Sequence, residues 1–341
     1  MTVPAEFSRP AALQEKLPGG KVRCLACAHR CVPGEGAAGI CGVRFNEGGT
    51  LKAPWGYVSG VSPDPVEKKP FFHVLPGART LSFGMFGCNF RCSFCQNWHI
   101  SGVKALSHCV PEPVTPQELA GQAVSAGARL LVSTYNEPLI TAEWAAAVFA
   151  EGKKEGLRSA FVSNGYATPE SVKFLRPVMD FWKVDLKGFD DKKYAAVCGA
   201  RLEKVLEGIK LIRGAGFWLE VVTLLIPGFN DSDAEIGAMA GFLAGLSKDI
   251  PWHLTAFHPD YKMAGDPPTP PETLYRAREA ALSEGLRYVY CGNVAGASGQ
   301  DTACPSCGKT LVRREGFSVQ ENLLGPGGAC SCGRKLPGAW D

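Results

Sequence analysis

The sequence predicts an α/β fold, in which an open, partial (β/α)6 TIM-like barrel lies between an N-terminal cysteine-rich knuckle and a C-terminal zinc-ribbon-like tail. From residue 80 onward, apolar β-type runs alternate with stretches of helical periodicity, as in parallel βα units. Six to seven such units are too few for a closed eight-stranded barrel, and their functional residues are expected at the carboxyl ends of the strands. Outside this region, cysteines gather near each end of the chain.

Seven strands are predicted from short apolar runs: Leu81–Phe86, Arg129–Thr134, Ser159–Ser163, Asp180–Leu186, Trp218–Ile226, His253–Phe257 and Tyr288–Cys291. Six helices are predicted between them, several with a threonine cap followed by proline: Gln117–Ala126, Ala142–Lys154, Pro169–Leu175, Leu202–Arg213, Asp233–Leu246 and Pro271–Ser283. Residues 1–20 are expected to form a loosely held arm. The predicted domains are 1–79 (arm, knuckle and short leading strands), 80–300 (barrel) and 301–341 (tail).

Composition bounds the function. The chain has 341 residues, 45% of them hydrophobic, and a net charge of +3, which gives no indication of a nucleic-acid or membrane partner. Since neither a signal-like apolar segment nor a membrane-length apolar run is present, a cytoplasmic location is expected. Fourteen cysteines in clusters favour metal sites over disulfides. Three of them, Cys109, Cys198 and Cys291, stand apart and are interpreted as small buried hydrophobes.

The segment Gly84–Trp98, here called the cluster loop, carries Cys88, Cys92 and Cys95 at Cys-x3-Cys-x2-Cys spacing. Three thiolates suit a cuboidal [4Fe-4S] cluster whose fourth iron has no protein ligand and can bind a substrate or cofactor. A structural zinc normally has four protein ligands. His99 would complete a Cys3His zinc site, which is the alternative interpretation of this loop.

Two further groups of four cysteines are candidate metal sites. The knuckle contains Cys24, Cys27, Cys31 and Cys41, which can hold either zinc or a second iron–sulfur cluster. The tail contains Cys304, Cys307, Cys330 and Cys332, with a Cys-x2-Cys-Gly turn typical of a zinc ribbon. Its second half is Cys-x-Cys, a departure from the usual spacing, and an iron–sulfur cluster is the alternative there.

Polar residues follow the predicted strands: Thr134, Tyr135, Asn136 and Glu137, then Ser163 and Asn164, then Asp185 and Lys187, and finally His258. A carboxylate at such a barrel mouth can accept charge-assisted hydrogen bonds from an ammonium group. The alternative for Glu137 is a cap on the helix that begins at Pro138. Asp185 and Lys187 share one face of their strand, opposite Val184 and Leu186, and could instead form a structural ion pair.

The cluster loop, with Phe94 before its third cysteine, resembles that of the radical S-adenosylmethionine (SAM) superfamily. The resemblance implies that the open iron chelates SAM, and that one electron cleaves SAM to methionine and a 5′-deoxyadenosyl radical. It also implies a cofactor site formed by Phe94, Thr134, Tyr135, Asn136, Glu137, Ser163, Asn164 and Asp185. The Asp-Leu-Lys triplet, Ile226-Pro227-Gly228-Phe229-Asn230 and Phe257-His258-Pro259 resemble pyruvate formate-lyase-activating enzymes, which implies catalytic roles for Asp185, Lys187 and His258.

Two departures from those activating enzymes are visible. Val162 and Ser163 stand where many of them have an acid, and no ferredoxin-like insert follows the cluster loop. The knuckle, the turn Cys95–Trp98, the stretch Tyr290–Val294 and the tail together resemble the radical SAM member of the AmmeMemoRadiSam system. That resemblance implies AMMECR-type and Memo-type partner proteins. An electron donor such as a flavodoxin or ferredoxin is also expected.

The leading hypothesis is therefore a radical SAM enzyme that abstracts hydrogen from an unidentified substrate, which could be a protein. The nearest alternative is an activase of a glycyl radical enzyme. The third is a metal-bound scaffold or redox sensor without SAM chemistry.

Overall fold

The structure is a computed structural model that describes residues 4–102, 110–294, 296 and 298–341; Cys109 lies outside the described residues. The chain forms two compact units. The first unit comprises Met1–Asp64, Arg79–Trp182 and Val197–Phe217, and the second comprises Pro65–Ala78, Lys183–Ala196 and Trp218–Asp341. Pro65–Ala78 belongs to the same unit as the C-terminal tail.

The N-terminal region consists of short strands: β1 (Ser8–Pro10), β2 (Gln14–Lys16), β3 (Val22–Cys24), β4 (Phe45–Glu47), β5 (Thr50–Pro54), β6 (Tyr57–Val58) and β7 (Gly60–Pro65). Strand β1 pairs antiparallel with β5, and β2 pairs antiparallel with β3. The expectation of a loosely held arm is therefore wrong for the described residues. Strand pairing and the burial of Ala11 and Leu13 fix this segment to the first unit.

The first unit contains the first parallel strands. Its next elements, in chain order, are β8 (Arg79–Gly84), α1 (Trp98–Ser101), β9 (Glu112–Pro113), α2 (Pro116–Ser125), β10 (Leu130–Ser133), α3 (Ala142–Lys154), β11 (Arg158–Ser163) and α4 (Pro169–Leu175). Strand β10 lies between β8 and β11 and is parallel to both, with Leu130 opposite Thr80 and Arg158. Thr115 begins α2 with a capping box to Glu118. The carboxyl ends of three parallel strands therefore meet at one edge.

The chain passes from the first unit to the second along β12 (Phe181–Asp185) and returns along α5 (Asp191–Cys198), before α6 (Leu202–Gly214). The second unit continues with β13 (Trp218–Leu225), α7 (Asp233–Leu246), β14 (Trp252–Ala256), α8 (Pro271–Ser283) and β15 (Val289–Gly292). Strands β13, β14 and β15 pair in parallel in that order. The second unit ends in the antiparallel strands β16 (Thr302–Ala303), β17 (Thr310–Glu315) and β18 (Ser318–Asn322).

The structure confirms all seven predicted strands and all six predicted helices, with ends that differ by no more than two residues. The fold is α/β with mostly parallel strands, consistent with a partial TIM-like barrel. Helix α5 was not predicted, because its sequence is polar and lacks a clear apolar stripe. None of the helices in the described part of the chain is both long enough and apolar enough to cross a membrane.

Candidate functional site

The cluster loop begins at the carboxyl end of β8 and passes close to the knuckle. Gly87 has φ of +87°, and a Cβ atom there would lie 2.7 Å from the carbonyl oxygen of Cys41. Glycine is therefore required at this position for two reasons, the backbone conformation and the close approach of the Cys41 carbonyl. Gly84 is packed almost as tightly, because a Cβ would lie 2.9 Å from the carbonyl oxygen of Thr134.

The three thiols of the cluster loop share one neighbourhood. Burial raises the pKa of Cys88 well above its usual value, and Glu137, Cys92 and Cys95 raise it further. These groups act on Cys88 through their negative charge, so all of them lie close to it. The amide of Phe90 donates to the sulfur of Cys88 at 3.4 Å. Three thiols carried by one loop fit the ligand set of an iron–sulfur site.

The far side of the cluster loop is held by the end of α5. The amide of Arg91 donates to the carbonyl of Cys198 at 2.9 Å, and the amide of Ser93 donates to the carbonyl of Val197 at 3.0 Å. Phe94 is buried, whereas His99 is exposed. These backbone contacts fix the loop between Cys88 and Cys95 independently of any side chain.

Asn136 fastens the start of the cluster loop to the end of β10. Its Oδ1 accepts from the amide of Met85 at 3.0 Å, and its Nδ2 donates to the carbonyl of Gly87 at 3.1 Å. The preceding Tyr135 has φ of +73°, an uncommon conformation for a residue with a side chain. Asn136 thus positions the backbone from which Cys88 projects.

Glu137 is buried and joins the ends of β10 and β11. Its carboxylate accepts from the hydroxyl of Ser163 at 2.7 Å, the amide of Asn164 at 2.7 Å and the amide of Leu139 at 3.0 Å. The last contact is the helix-cap role considered from the sequence. Contact between Glu137 and SAM stays a prediction, as it does for Thr134, Tyr135, Asn136, Ser163 and Asn164.

A chain of amide side chains connects this edge to the cluster loop. Asn164 Nδ2 donates to Asn89 Oδ1 at 2.7 Å, and the Oδ1 of Asn164 accepts from the amide of Tyr166. Asn89 directly follows Cys88 and is itself buried. Sequence reasoning did not single out Asn89, since a polar residue inside a cysteine loop gives no signal of its own.

In the second unit, Asp185 lies at the end of β12 between two lysines. Lys187 Nζ is 3.2 Å from Asp185 Oδ2, and Lys183 Nζ is 3.8 Å from Oδ1. The ion pair of Asp185 with Lys187, considered from the sequence as the structural alternative, is observed. Lys183 was missed, although the two-residue period of a strand places it on the same face as Asp185 and Lys187.

Lys183 is a buried lysine next to a half-buried carboxylate. Burial lowers the pKa of Lys183 to about 8, although Asp185 and Glu220 act in the opposite direction. His258 follows β14 in the same unit, with an exposed side chain whose Nδ1 lies 3.3 Å from the carbonyl oxygen of Pro259. The catalytic roles of Asp185, Lys187 and His258 stay predictions.

The tail cysteines form a compact four-sulfur site. The sulfurs of Cys304, Cys307, Cys330 and Cys332 all lie within 4.8 Å of one another. The amide of Gly308 donates to the carbonyl of Cys304, and the amide of Gly333 donates to the carbonyl of Cys330, so each pair closes a tight turn. Four sulfurs at this spacing fit one tetrahedral ion. The Cys-x-Cys spacing therefore does not prevent convergence.

The knuckle cysteines gather around Cys24. The charge of Cys24 raises the pKa of Cys27, Cys31 and Cys41, in each case added to a larger effect of burial. The amide of Cys24 donates to the carbonyl of Cys31 at 2.8 Å, which closes the knuckle. The four predicted ligands are thus neighbours.

Comparison with known proteins identifies the class. The model of the radical SAM superfamily matches residues 83–240. The uncharacterized protein MJ0808 of Methanocaldococcus jannaschii is 40% identical over 314 residues, which cover 92% of this chain and 93% of that protein. The pyruvate formate-lyase 1-activating enzyme of Escherichia coli K12 is 24% identical over 233 residues, which cover 63% of this chain and 93% of that enzyme. The crystal structure of a domain of the pyruvate-formate lyase-activating enzyme from Bacteroides vulgatus matches with a TM-score of 0.43 and 21% identity. The match covers 48% of this chain and 98% of that domain.

The chain belongs to the radical SAM superfamily. It is an enzyme with a [4Fe-4S] cluster and SAM as cofactors, and it is similar to activating enzymes. The interpretation as a scaffold without SAM chemistry is thereby set aside.

Proposed function

We propose that this radical SAM enzyme abstracts a hydrogen atom from a protein partner. The observation that carries the proposal is the similarity to the pyruvate formate-lyase 1-activating enzyme over 93% of that enzyme, whose name states that it activates another enzyme. The partners proposed from the sequence are the AMMECR-type and Memo-type proteins, with a flavodoxin or ferredoxin as electron donor. A glycyl radical enzyme is the second candidate partner, favoured by the same relative.

The proposed ligands of the [4Fe-4S] cluster are Cys88, Cys92 and Cys95. When bound, the cluster supplies the electron that cleaves SAM to methionine and a 5′-deoxyadenosyl radical. The chain contributes a loop fixed at both sides, by Asn136 and by the carbonyls of Val197 and Cys198. Fixed thiolates reduce the reorganisation that electron transfer requires and keep the open iron in one place.

The proposed SAM site uses the polar edge formed by β10 and β11. Glu137 is proposed to interact with the SAM ammonium, which is supported by its position beside Cys88. Phe94, Thr134, Tyr135, Asn136, Ser163, Asn164 and Asp185 are the other proposed cofactor residues. Asp185 and Lys187 are proposed to bind the ribose, carboxylate or substrate together with His258. A paired carboxylate and ammonium can each form a new charge-assisted hydrogen bond to the oppositely charged group of SAM. No charge is then left without a partner when SAM binds.

The outer cysteine groups complete the proposal. The tail cysteines are proposed to hold a structural zinc ion, for which four sulfurs within 4.8 Å of one another provide a closed coordination shell. The domain division 1–79, 80–300 and 301–341 remains a prediction from the sequence.

Isotope transfer tests the protein substrate. Reconstituted enzyme is incubated anaerobically with SAM, dithionite and each perdeuterated candidate partner, and the 5′-deoxyadenosine formed is analysed by mass spectrometry. We expect deuterium in 5′-deoxyadenosine and at least a tenfold rise in its formation with the true partner. The Cys88/Cys92/Cys95→Ala variant is the control and should form none. Deuterium-free product with every candidate protein, but stimulation by a protein-free metabolite extract, would contradict a protein substrate. A glycyl radical on the partner, seen by electron paramagnetic resonance (EPR), would identify the second candidate.

Glu137→Gln tests the proposed SAM contact. The substitution keeps the shape of the side chain and removes its charge, whose hydrogen bond to an ammonium contributes roughly 1.5–3 kcal/mol. We expect SAM affinity to fall about tenfold or more. Iron content serves as the control, because it shows whether weakening the bonds from Ser163 and Leu139 to Glu137 disturbs the neighbouring cluster loop. Unchanged SAM affinity would leave Glu137 with its cap role alone.

A further inference from the structure

One face of the strands in the second unit is polar although it is buried. Lys183, Glu220 and His253 come from β12, β13 and β14, which are neighbours in the sheet, and each is no more than 3% exposed. The residues that alternate with them, such as Val184 and Trp252, are apolar and buried on the opposite face. A buried charged side chain is normally paired and hydrogen-bonded. The partners of each polar group therefore indicate what this face can still bind.

The carboxylate of Glu220 has no capacity left for a further donor. Its Oε2 accepts from the amide of Phe72 at 3.0 Å and from His253 Nε2 at 2.7 Å. Its Oε1 accepts from the amide of His73 at 2.9 Å and from the indole of Trp218 at 3.1 Å. Four donors on two oxygens fill the usual acceptor sites of a carboxylate. Glu220 is thus a fully bonded anion and acts on its other neighbours only through its charge.

Lys183 has one charged partner, at a distance too long for a hydrogen bond. Its Nζ lies 3.8 Å from Asp185 Oδ1, and within the described part of the chain this Nζ forms no hydrogen bond. Asp185 is also shared, because its Oδ2 lies 3.2 Å from Lys187 Nζ. A buried ammonium group without hydrogen bonds is unfavourable. Lys183 therefore keeps three donors available for a ligand beside Asp185.

Asp185 differs from its two neighbours in exposure. Its side chain is 32% exposed, against 4% for Lys183 and 16% for Lys187. Asp185 is itself one of the proposed cofactor residues. If its carboxylate contacts the cofactor, Lys183 loses its anion while it stays buried, which is strongly unfavourable. A second carboxylate beside the two lysines restores the pairing.

We propose that Lys183, together with Lys187, binds a carboxylate group of the substrate, which takes the place of Asp185 when Asp185 contacts the cofactor. The proposal rests on the proposed function, because it assigns a substrate contact to the same strand end. For a protein partner, this group is the side chain of a glutamate or an aspartate close to the hydrogen that is abstracted. No covalent bond changes when the carboxylate binds.

The charges around the site favour a carboxylate over a phosphate. Lys183 and Lys187 share a single carboxylate, so a group with one negative charge keeps the same balance. Glu220 acts on Lys183 with a further negative charge, which disfavours a dianion. Burial lowers the pKa of Lys183 to about 8, although Asp185 and Glu220 act in the opposite direction, so the ammonium form predominates at pH 7.

Propionate, which carries the side-chain carboxylate of glutamate, tests the site on the full-length reconstituted protein. Anaerobic titration calorimetry at pH 7 compares it with the neutral propionamide and with inorganic phosphate, each in the presence of SAM and without a reductant. We expect propionate to bind in the millimolar range and the other two to bind at least about tenfold more weakly.

Three lysine variants assign the binding. Lys183→Met should weaken propionate binding by about tenfold or more, and Lys183→Arg should keep it within about threefold of wild type, because arginine retains the charge. Lys193→Met is the matched control in the same unit. The ammonium of Lys193 already donates to the carbonyl of Phe229 at 2.7 Å, so this variant should bind propionate as wild type does. If Lys183→Met fails to fold, Lys183→Gln replaces it.

Asp185→Asn distinguishes a substrate site from a merely structural ion pair. Asparagine removes the competing charge, so without SAM this variant should bind propionate about tenfold more tightly than wild type. In wild type, SAM should raise propionate affinity by about threefold or more, whereas in Asp185→Asn it should have little effect.

Four results would overturn the proposal: no propionate binding, equal or tighter binding of propionamide or phosphate, an equal loss in Lys193→Met and Lys183→Met, or a propionate affinity that neither SAM nor Asp185→Asn changes. If propionate binds as expected but the enzyme cleaves no SAM with dithionite, the proposed function fails while the carboxylate site stands.

Discussion

The knuckle and the C-terminal ribbon (residues 302–336) each present four cysteines, but the surrounding protein is organised differently. In the ribbon, two ligands are themselves part of the hydrophobic core, where Cys304 and Cys330 pack with Phe72, Tyr288 and Leu311. The knuckle instead rests on polar contacts within the first unit. Its Arg44 forms two hydrogen bonds to Glu143, at 2.7 and 2.8 Å.

The difference indicates what each metal contributes. Where two of the candidate ligands are themselves part of the core, we expect metal binding to contribute much of the folding free energy of that region. Where the cysteines rest on a separately stabilised base, the fold should depend less on a bound metal. We therefore expect metal removal to unfold the ribbon and to leave the base of the knuckle folded.

The largest effect is expected in the ribbon. Cys304→Ser/Cys330→Ser removes two ligands, and apparent zinc-binding free energies in small zinc domains are about 10–16 kcal/mol. We expect the zinc to be lost and residues 302–336 to lose protection from hydrogen exchange, while the strands of the first unit stay protected. Cys291→Ser is the matched control. Full protection of β17 in zinc-free protein would mean that the ribbon folds without its metal.

Removing the Arg44–Glu143 contact, on which the knuckle rests, should destabilise the protein less than removing the ribbon cysteines. Arg44 and Glu143 are buried, with side chains 2% and 7% exposed. Breaking such a pair from one side leaves a buried charge and costs about 3–5 kcal/mol of unfolding free energy. We expect Glu143→Ala to show this loss in urea denaturation, and Arg44→Met/Glu143→Leu to recover most of it. An equal loss in the single and double variants would show that packing, not charge, holds the knuckle.

The ribbon side of the second unit should be sensitive to acid. Burial lowers the pKa of His73 to about 4. His73 Nδ1 donates to the carbonyl of Pro337 at 2.8 Å, so its Nε2 accepts from the hydroxyl of Tyr290 at 2.7 Å. The folded state therefore requires a neutral His73, whereas the unfolded chain binds a proton below about pH 6.5.

The sign follows from proton counting. Between pH 6.5 and 4 the unfolded state binds more protons at His73, so stability falls as the pH falls through this window, by up to about 3 kcal/mol at 1.36 kcal/mol per pKa unit. Below pH 4.5 Glu220 adds to the loss: burial raises its pKa, but the hydrogen bond and charge of His253, with the charge of His73 and the amide of Phe72, together hold that pKa at about 2. Urea midpoints at pH 7 and 5 measure the slope. His73→Gln should flatten it, and an unchanged slope would assign the acid sensitivity elsewhere.

Much of the fold was predictable because it is encoded locally. The threonine-proline starts of α2 and α4 are read from adjacent residues, and both threonines cap their helices as expected. The convergence of the tail cysteines was predictable because their spacing carries the chemistry. The alternation along β12 also placed Asp185 beside Lys187.

The remaining features depend on contacts between distant positions. Arg44 and Glu143 are 99 residues apart, and neither carries a signal of its partner. Asn136 was predicted as a cofactor residue, yet its amide is bonded to the backbone of the cluster loop, a contact 51 residues away at Met85. The bridging position of Asn89 emerges only when β11, the knuckle and the loop are folded together.

The smallest effects are expected for ion pairs on the surfaces of the two regions. Arg30 and Glu170 lie 2.7 Å apart beside the knuckle, and Arg313 and Glu321 lie 3.9 Å apart in the ribbon, with all four side chains more than a third exposed. Water and salt screen such pairs, so Glu170→Gln and Glu321→Gln should each change the unfolding free energy by less than about 1 kcal/mol. Raising the salt concentration to 1 M should reduce even this difference, because the screening length falls to about 3 Å. Denaturation at low salt and at 1 M salt measures the change. A loss above about 2 kcal/mol for Glu170→Gln alone would mean that a surface pair holds the knuckle. The buried Arg44–Glu143 contact would then no longer explain how this region differs from the ribbon.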